Sequence, residues 1–268
     1  ELTAERLRLI FHLLLIDCIS WLIVREDFEA LYRQALAGDS LRLPQKTDSF
    51  QLWCRGLVEY AQAPVFEDEI EYWQELVVTT VPALPLRRRE DQRGSEQISF
   101  RLDAERSQQL PGAAHRAYGT EVNEILLAAL TEAFAESMGV DKVWIMMEGH
   151  GREEIIPDLQ CFRTVGWFTS EYPVLLENVA SSEEAAATLI RTKDFLRQLP
   201  RKGIGYGIAR YLRPELWEGE VAQFHPSVIF NFLGQFGEAE AATGEWQIFN
   251  EAGGAISDPE DGLDHTLR

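Results

Sequence analysis

Cysteine is nearly absent from this chain. Cys18, Cys54 and Cys161 are odd in number, far apart and form no C-x-x-C pair. That pattern excludes a disulfide framework and a paired-cysteine zinc site, and it points to a reducing, cytoplasmic compartment. His12, His115, His150, His225 and His265 are scattered, with no H-E-x-x-H spacing, so no metal site is expected. Positive charge is scarce as well. Lys and Arg number 25 against 44 Asp and Glu, a formal net charge of −19. Such an acidic chain is not a general nucleic-acid binder and is poorly suited to an anionic membrane surface. A long uninterrupted apolar run is missing. The most apolar stretch, Leu7 to Val24, contains Arg8, His12 and Asp17, which make a membrane span costly. It also lacks the basic start and small-residue cleavage site of a secretory signal. There is no G-x-S-x-G elbow, no P-loop and no internal repeat.

What is present is material for a core. The 268 residues are 46% apolar, with seven Trp and fourteen Phe, enough for one large or two modest domains. The chain opens on Glu1 rather than Met, and it reads as part of something longer. Leu7 to Ile16 predicts a strand buried on both faces. Ser20 is the expected cap of a helix with Trp21, Val24, Phe28, Leu31 and Ala35 on its apolar face, ended by Gly38. A helix from Asp48 or Ser49 packs Phe50, Trp53, Leu57 and Tyr60. Another, behind the acidic run Glu67-Asp68-Glu69, packs Ile70, Trp73 and Leu76. Residues 79–95, with Pro82, Pro85 and Arg87-Arg88-Arg89, read as a solvated linker.

Beyond the linker, Gln97 to Leu102 predicts a strand and Asp103 caps a short helix. Thr120 opens a helix with Val122, Ile125, Leu126, Ala129, Leu130 and Phe134 inward, stopped by Gly139. Val143 to Met147 and Trp167 to Leu176 predict strands. Ser181 and Glu184 form a capping-box signature for a helix running to Leu199. Gly203-Ile204-Gly205-Tyr206-Gly207 follows a helix and matches no dinucleotide loop; on its own it predicts a flexible turn. Val228 to Leu233 predicts a buried strand. Strands and helices mix without strict alternation, which favours an α+β fold.

Two features carry chemistry. The apolar strand Trp144-Ile145-Met146-Met147 ends in Glu148-Gly149-His150-Gly151-Arg152-Glu153. A carboxylate at the end of a buried strand suits proton transfer near neutral pH; the structural alternative is a polar turn, with Glu148 in water or paired to Arg152. Asn231 likewise has two readings, an amide bonded to neighbouring backbone or one that holds a ligand carbonyl.

Four segments occur in order: Glu148 to Glu153; Arg163-Thr164-Val165-Gly166-Trp167-Phe168-Thr169-Ser170 with Tyr172-Pro173-Val174; Gly203 to Gly207; and Phe230-Asn231-Phe232-Leu233-Gly234-Gln235-Phe236. Together they closely resemble the epimerization domains of nonribosomal peptide synthetases, within the condensation-domain superfamily. The superfamily signature H-H-x-x-x-D-G with Ser-Trp is matched by His12, Asp17, Ser20 and Trp21. Leu13 stands where the catalytic His is expected, and Cys18 where Gly is.

The resemblance implies a chloramphenicol acetyltransferase-like two-lobed α+β sandwich with its active site in a tunnel between the lobes. Residues 1–78 would end an incomplete N-terminal lobe, 79–95 would link, and 96–268 would form a truncated C-terminal lobe. It implies L-to-D epimerization of an aminoacyl or peptidyl thioester. The chain would need no cofactor of its own, its substrate arriving on the phosphopantetheine of a peptidyl carrier protein. Adenylation and condensation domains of the same synthetase would be the further partners. By position Glu148 is the base and Asn231 lines the channel near the thioester. His12, Asp17, His150 and Arg152 support the motifs, and Phe232 stands where a Tyr is common. Because Leu13 cannot carry a proton, the alternative is a catalytically silent module that docks a carrier protein or recruits a tailoring enzyme. Arg197, Arg201 and Lys202 form a small basic cluster, read either as a solvated helix end or as a docking contact for an acidic carrier.

Overall fold

The computed structural model describes residues 9–85, 97–110, 112, 115–179, 185–217, 219 and 223–234. Strand β1 (Lys142–Gly149) is the centre of a three-stranded sheet. It runs antiparallel to β2 (Ser170–Glu177) and parallel to β3 (Val228–Phe230), in the order β2-β1-β3. A middle strand is covered on both faces, so its sequence is apolar without alternation; Val143, Ile145, Met146 and Met147 are all buried. The register sets Glu148 opposite Glu171, Ile145 beside Val228 and Met147 beside Phe230. Side chains alternate along a strand. Val143, Ile145, Met147 and Val228 therefore share one face. Trp144, Met146, Glu148, Ile229 and, one step past β3, Asn231 share the other.

The described residues form eight α-helices. They are α1 (Cys18–Ala37), α2 (Phe50–Tyr60), α3 (Glu67–Val77), α4 (Ala104–Gln109), α5 (His115–Tyr118), α6 (Val122–Met138), α7 (Ala185–Gln198) and α8 (Ile204–Leu212). α6 packs on α7 and both reach β2; α8 packs on β2, α3 and α2. α2 is capped by the Ser49 side chain, and α3 opens with Glu67, Asp68 and Glu69 at its positive end. Trp53, Tyr60, Phe66, Trp73, Leu127, Ile145 and Tyr206 are among the buried side chains of one continuous core. The α+β class expected from the sequence is the class observed.

Several local expectations are corrected. The described part of the Leu7 to Ile16 segment, from Leu9, is not a buried strand. Leu9, Ile10, Phe11, Leu14 and Leu15 are exposed, and Leu13–Leu15 form a 3-10 turn. A strand needs a neighbour for its backbone groups; here Leu15 N–H bonds the His12 carbonyl (2.9 Å) and Leu14 N–H bonds His12 Nδ1 (3.2 Å) instead. Gln97 to Leu102 is also not a strand: Ile98 and Phe100 are 88% and 89% exposed, with no described strand beside them. α1 is capped by Asp17 rather than Ser20, whose hydroxyl lies inside the first turn on the Gly166 carbonyl. Its expected apolar face is not buried; only Ser20 and Ile23 are. α6 is capped by Glu121, reciprocally with Glu124, rather than by Thr120. Its buried stripe is Glu124, Leu127, Ala128, Thr131 and Phe134, rotated from the expected one, and Glu124 on that stripe pairs with Arg197 of α7 (3.1 Å). The linker from residue 86 onward, the Ser181–Glu184 box, Gln235, Phe236 and the tail from Glu238 lie outside the described residues.

The glycine-rich segment is a helix start, not a flexible turn. Gly203 takes φ +91°, and a Cβ there would lie 2.2 Å from the Tyr172 ring. At Gly205 a Cβ would lie 1.7 Å from Glu69 Oε1. These two glycines let α8 press onto β2 and α3. Gly207, one turn on, has nothing within 4 Å of a built Cβ. Gly203→Ala and Gly205→Ala should each lower stability by roughly 1–3 kcal/mol through overpacking. Gly207→Ala should be neutral or stabilising by up to about 1 kcal/mol. Urea midpoints of the three variants check this ordering.

Candidate active site

β1 delivers Glu148 to the edge of the sheet. Its side chain is half-buried, and Asn231 Nδ2 donates a hydrogen bond to its Oε2. Asn231 is not the buried amide of a continuous strand: β3 ends at Phe230, and Asn231 is exposed. The parallel pairing of β1 with β3 puts both residues on one face, so the contact follows from register. Glu171 is the cross-strand neighbour of Glu148 on β2. Sequence reasoning missed Glu171, because strand register is not written in either segment alone.

After Glu148 the chain turns sharply. Gly151 has φ +65°, and a Cβ there would stand 1.6 Å from the Phe168 carbonyl oxygen, so only glycine fits. His150 is exposed; its Nδ1 accepts the Arg152 N–H (3.0 Å) and its Nε2 lies 3.1 Å from Glu153. Arg152 turns inward, away from the pairing with Glu148 that its sequence position allowed.

Arg152 meets Asp17 in the interior, their side chains 5% and 3% exposed. One guanidinium nitrogen donates to both Asp17 oxygens (2.9 Å each) and to Ser20 Oγ (2.9 Å); another donates to the Thr164 carbonyl (3.1 Å). The guanidinium carbon lies 3.9 Å from the centroid of the Phe168 ring. Asp17 also accepts the N–H of Ser20 (2.7 Å) and of Phe168 (3.1 Å). Burial pulls the Arg152 pKa down, and the Asp17 carboxylate opposes that shift. Arg163 of the same loop pairs with Glu26 and Asp27 on α1. The segments around 17–20, 148–153 and 163–170 are thus tied together at one point.

His12 caps its own turn through Nδ1, and Leu13 opens that turn. Cys18 is exposed at the start of α1; burial, then the charges of Asp17 and Glu148, push its thiol pKa up. The basic cluster is matched within the chain: Arg197 bonds Glu124 and the Gly119 carbonyl, Arg201 lies 3.4 Å from Glu69, and Lys202 lies 3.5 Å from Glu153. Among the described residues no group of three or more His, Cys, Asp or Glu is placed to hold a metal, and no helix is long and apolar enough to cross a membrane.

Comparison with known proteins places this arrangement. Residues 2–256 match the Condensation domain family. The chain is 44% identical over 243 residues to surfactin synthase subunit 1 of Bacillus subtilis (strain 168), covering 89% of this chain and 7% of that protein. It is 42% identical over 240 residues to tyrocidine synthase 1 of Brevibacillus parabrevis, covering 88% of this chain and 22% of that protein. The crystal structure of the epimerization domain from the third module of tyrocidine synthetase B superposes with a TM-score of 0.83 at 36% identity, over 95% of this chain and 57% of that one. The chain therefore spans only a minor part of these two curated relatives and little more than half of the solved domain.

Asp17→Asn leaves Arg152 charged, buried and without its counter-ion. Removing one partner of such a pair costs roughly 3–5 kcal/mol. The variant should unfold at a correspondingly lower urea concentration than the parent chain.

Proposed function

The chain belongs to the Condensation domain family, and from that footing we propose that it is an epimerization domain of a nonribosomal peptide synthetase, acting on an aminoacyl or peptidyl thioester. The observation that carries the reading is Glu148, a carboxylate at the end of the central strand, held by Asn231 just past the end of the adjacent strand. Likeness to the tyrocidine synthetase epimerization domain supports it. The substrate would arrive on the phosphopantetheine of a peptidyl carrier protein, alongside adenylation and condensation domains. In this reading the lobes meet near residues 79–95.

The chemistry divides into two proton transfers. A thioester carbonyl acidifies the α-carbon. Glu148 takes that proton, the C–H pair moves toward the carbonyl oxygen, and an enolate forms. An amide NH2 has two donors; in Asn231 one holds Glu148 and the other meets the enolate oxygen, where developing charge most needs a donor. Return of the proton from Glu148 restores the L centre. Inversion requires a proton on the opposite face. Leu13 has none to give, so water must supply it, and the hydroxide left behind takes up the proton held on Glu148. Loss of a positioned acid–base group typically slows such a step by roughly 10²- to 10⁴-fold. His150 and Arg152 act in this scheme by position: Arg152 anchors the turn, and His150 braces its backbone.

Leu13 also favours a second reading, a catalytically silent module that binds a carrier protein or recruits a tailoring enzyme. The two readings separate in D₂O, with an aminoacyl carrier protein as substrate. The epimerase reading expects α-deuterium incorporation to outpace formation of the D isomer. Leu13→His should bring the two rates together by raising inversion roughly 10²- to 10⁴-fold, and Glu148→Gln should abolish both. Exchange that survives Glu148→Gln overturns the assignment of the base. Carrier binding without exchange, in the parent chain and in Leu13→His alike, supports the silent module.

A further inference from the structure

A cavity of about 320 Å³ lies between the sheet, α2 and α8. Met146 forms part of its wall, on the same face of β1 as Glu148. Glu171, the register partner of Glu148, forms another part. The cavity therefore adjoins the strand end that carries Glu148, although Glu148 itself is not one of its walls. Glu171 and Tyr211 are exposed and mark where it reaches solvent. Its volume is near the lower end of the roughly 300–1,000 Å³ found for ligand pockets. It would take one side chain and the atoms next to it, not a long peptide.

The deeper walls are apolar and aromatic: Trp53, Phe168, Tyr206 and Ile208 are all buried. The Arg210 guanidinium is held by the Tyr206 hydroxyl (2.7 Å) and the Phe224 carbonyl (3.0 Å). It braces the wall rather than standing ready for an acidic guest.

Glycine inside a helix is less favourable than alanine by about 1 kcal/mol. Gly203 and Gly205 are explained by the groups a Cβ would strike; Gly207 has no such neighbour within 4 Å. It borders the cavity, and the side chain it lacks would occupy that space. What Gly207 preserves is room for something that is not part of the chain.

We propose that this cavity holds the side chain of the residue being inverted, that it accepts a large apolar or aromatic side chain, and that Gly207 sets its size limit. The proposal rests on the epimerase reading above, which supplies a reaction centre at Glu148. The test uses two hydrolysis-resistant probes, phenylalanyl-pantetheine and alanyl-pantetheine with an amide in place of the thioester, titrated calorimetrically into the chain. The phenylalanyl probe should bind about tenfold or more tightly than the alanyl probe, the scale of side-chain discrimination by an apolar pocket. Gly207→Leu should erase that preference by weakening the phenylalanyl probe alone, and Gly207→Ala should reduce it in part. Circular dichroism checks that each variant is folded, and Gly207→Ala carries the test if Gly207→Leu is not. Equal affinity for the two probes, binding of neither, or a preference unchanged in the folded Gly207 variants overturns the proposal. The two readings fail separately. A phenylalanyl preference without α-deuterium exchange retains the pocket and removes the epimerase, whereas exchange at Glu148 without a preference does the reverse.

Discussion

The buried pair of Asp17 and Arg152 is the constraint on which the site depends. It joins residues 135 apart in sequence, and Ser20, Thr164 and Phe168 close around it. Two charges in the interior are costly unless their remaining donors and acceptors are satisfied. Here Asp17 accepts from the guanidinium and from two backbone N–H groups, one of them the capping bond of α1. The pair is a junction more than a source of stability. It fixes how the start of α1, the turn after β1 and the loop before β2 meet.

That junction fixes the end of β1. Arg152 lies only four residues beyond Glu148, and Gly151 presses the intervening turn onto the Phe168 backbone. The strand end is therefore held from both sides. Asn231 reaches Glu148 because β3 runs parallel to β1, and the residue after its last pair, Phe230 with Met147, comes level with Glu148. The same segment that supplies Asp17 carries Leu13. Its anchoring residues are present, while position 13 has no proton to give.

The glycine-rich segment shows how a short motif can serve several purposes. Two of its glycines permit contact, with Tyr172 and with Glu69. The third stands against open space at the cavity. Read as sequence, the three are equivalent punctuation. Their difference lies in what approaches each one: Tyr172 of β2, Glu69 of α3, and nothing within 4 Å of the third.

Local determinants were legible. The apolar run of β1, the Ser49 cap of α2, the acidic first turn of α3, and Gly38 and Gly139 as helix stops depend on nearest neighbours and on φ preferences that a residue carries with it. The ordered motifs were legible too, and with them the candidate residues Glu148 and Asn231. The reading erred where partners decide structure. Leu9 to Leu15 and Gln97 to Leu102 have strand-like sequences but no described strand to bond. α6 buries a stripe other than the expected one, and Arg152 pairs with Asp17 rather than with nearby Glu148. Sequence by itself determined which segments can be helix or strand and which residues can exchange protons. Only tertiary structure decided which of them meet, because register, burial and charge pairing are properties of two segments at once.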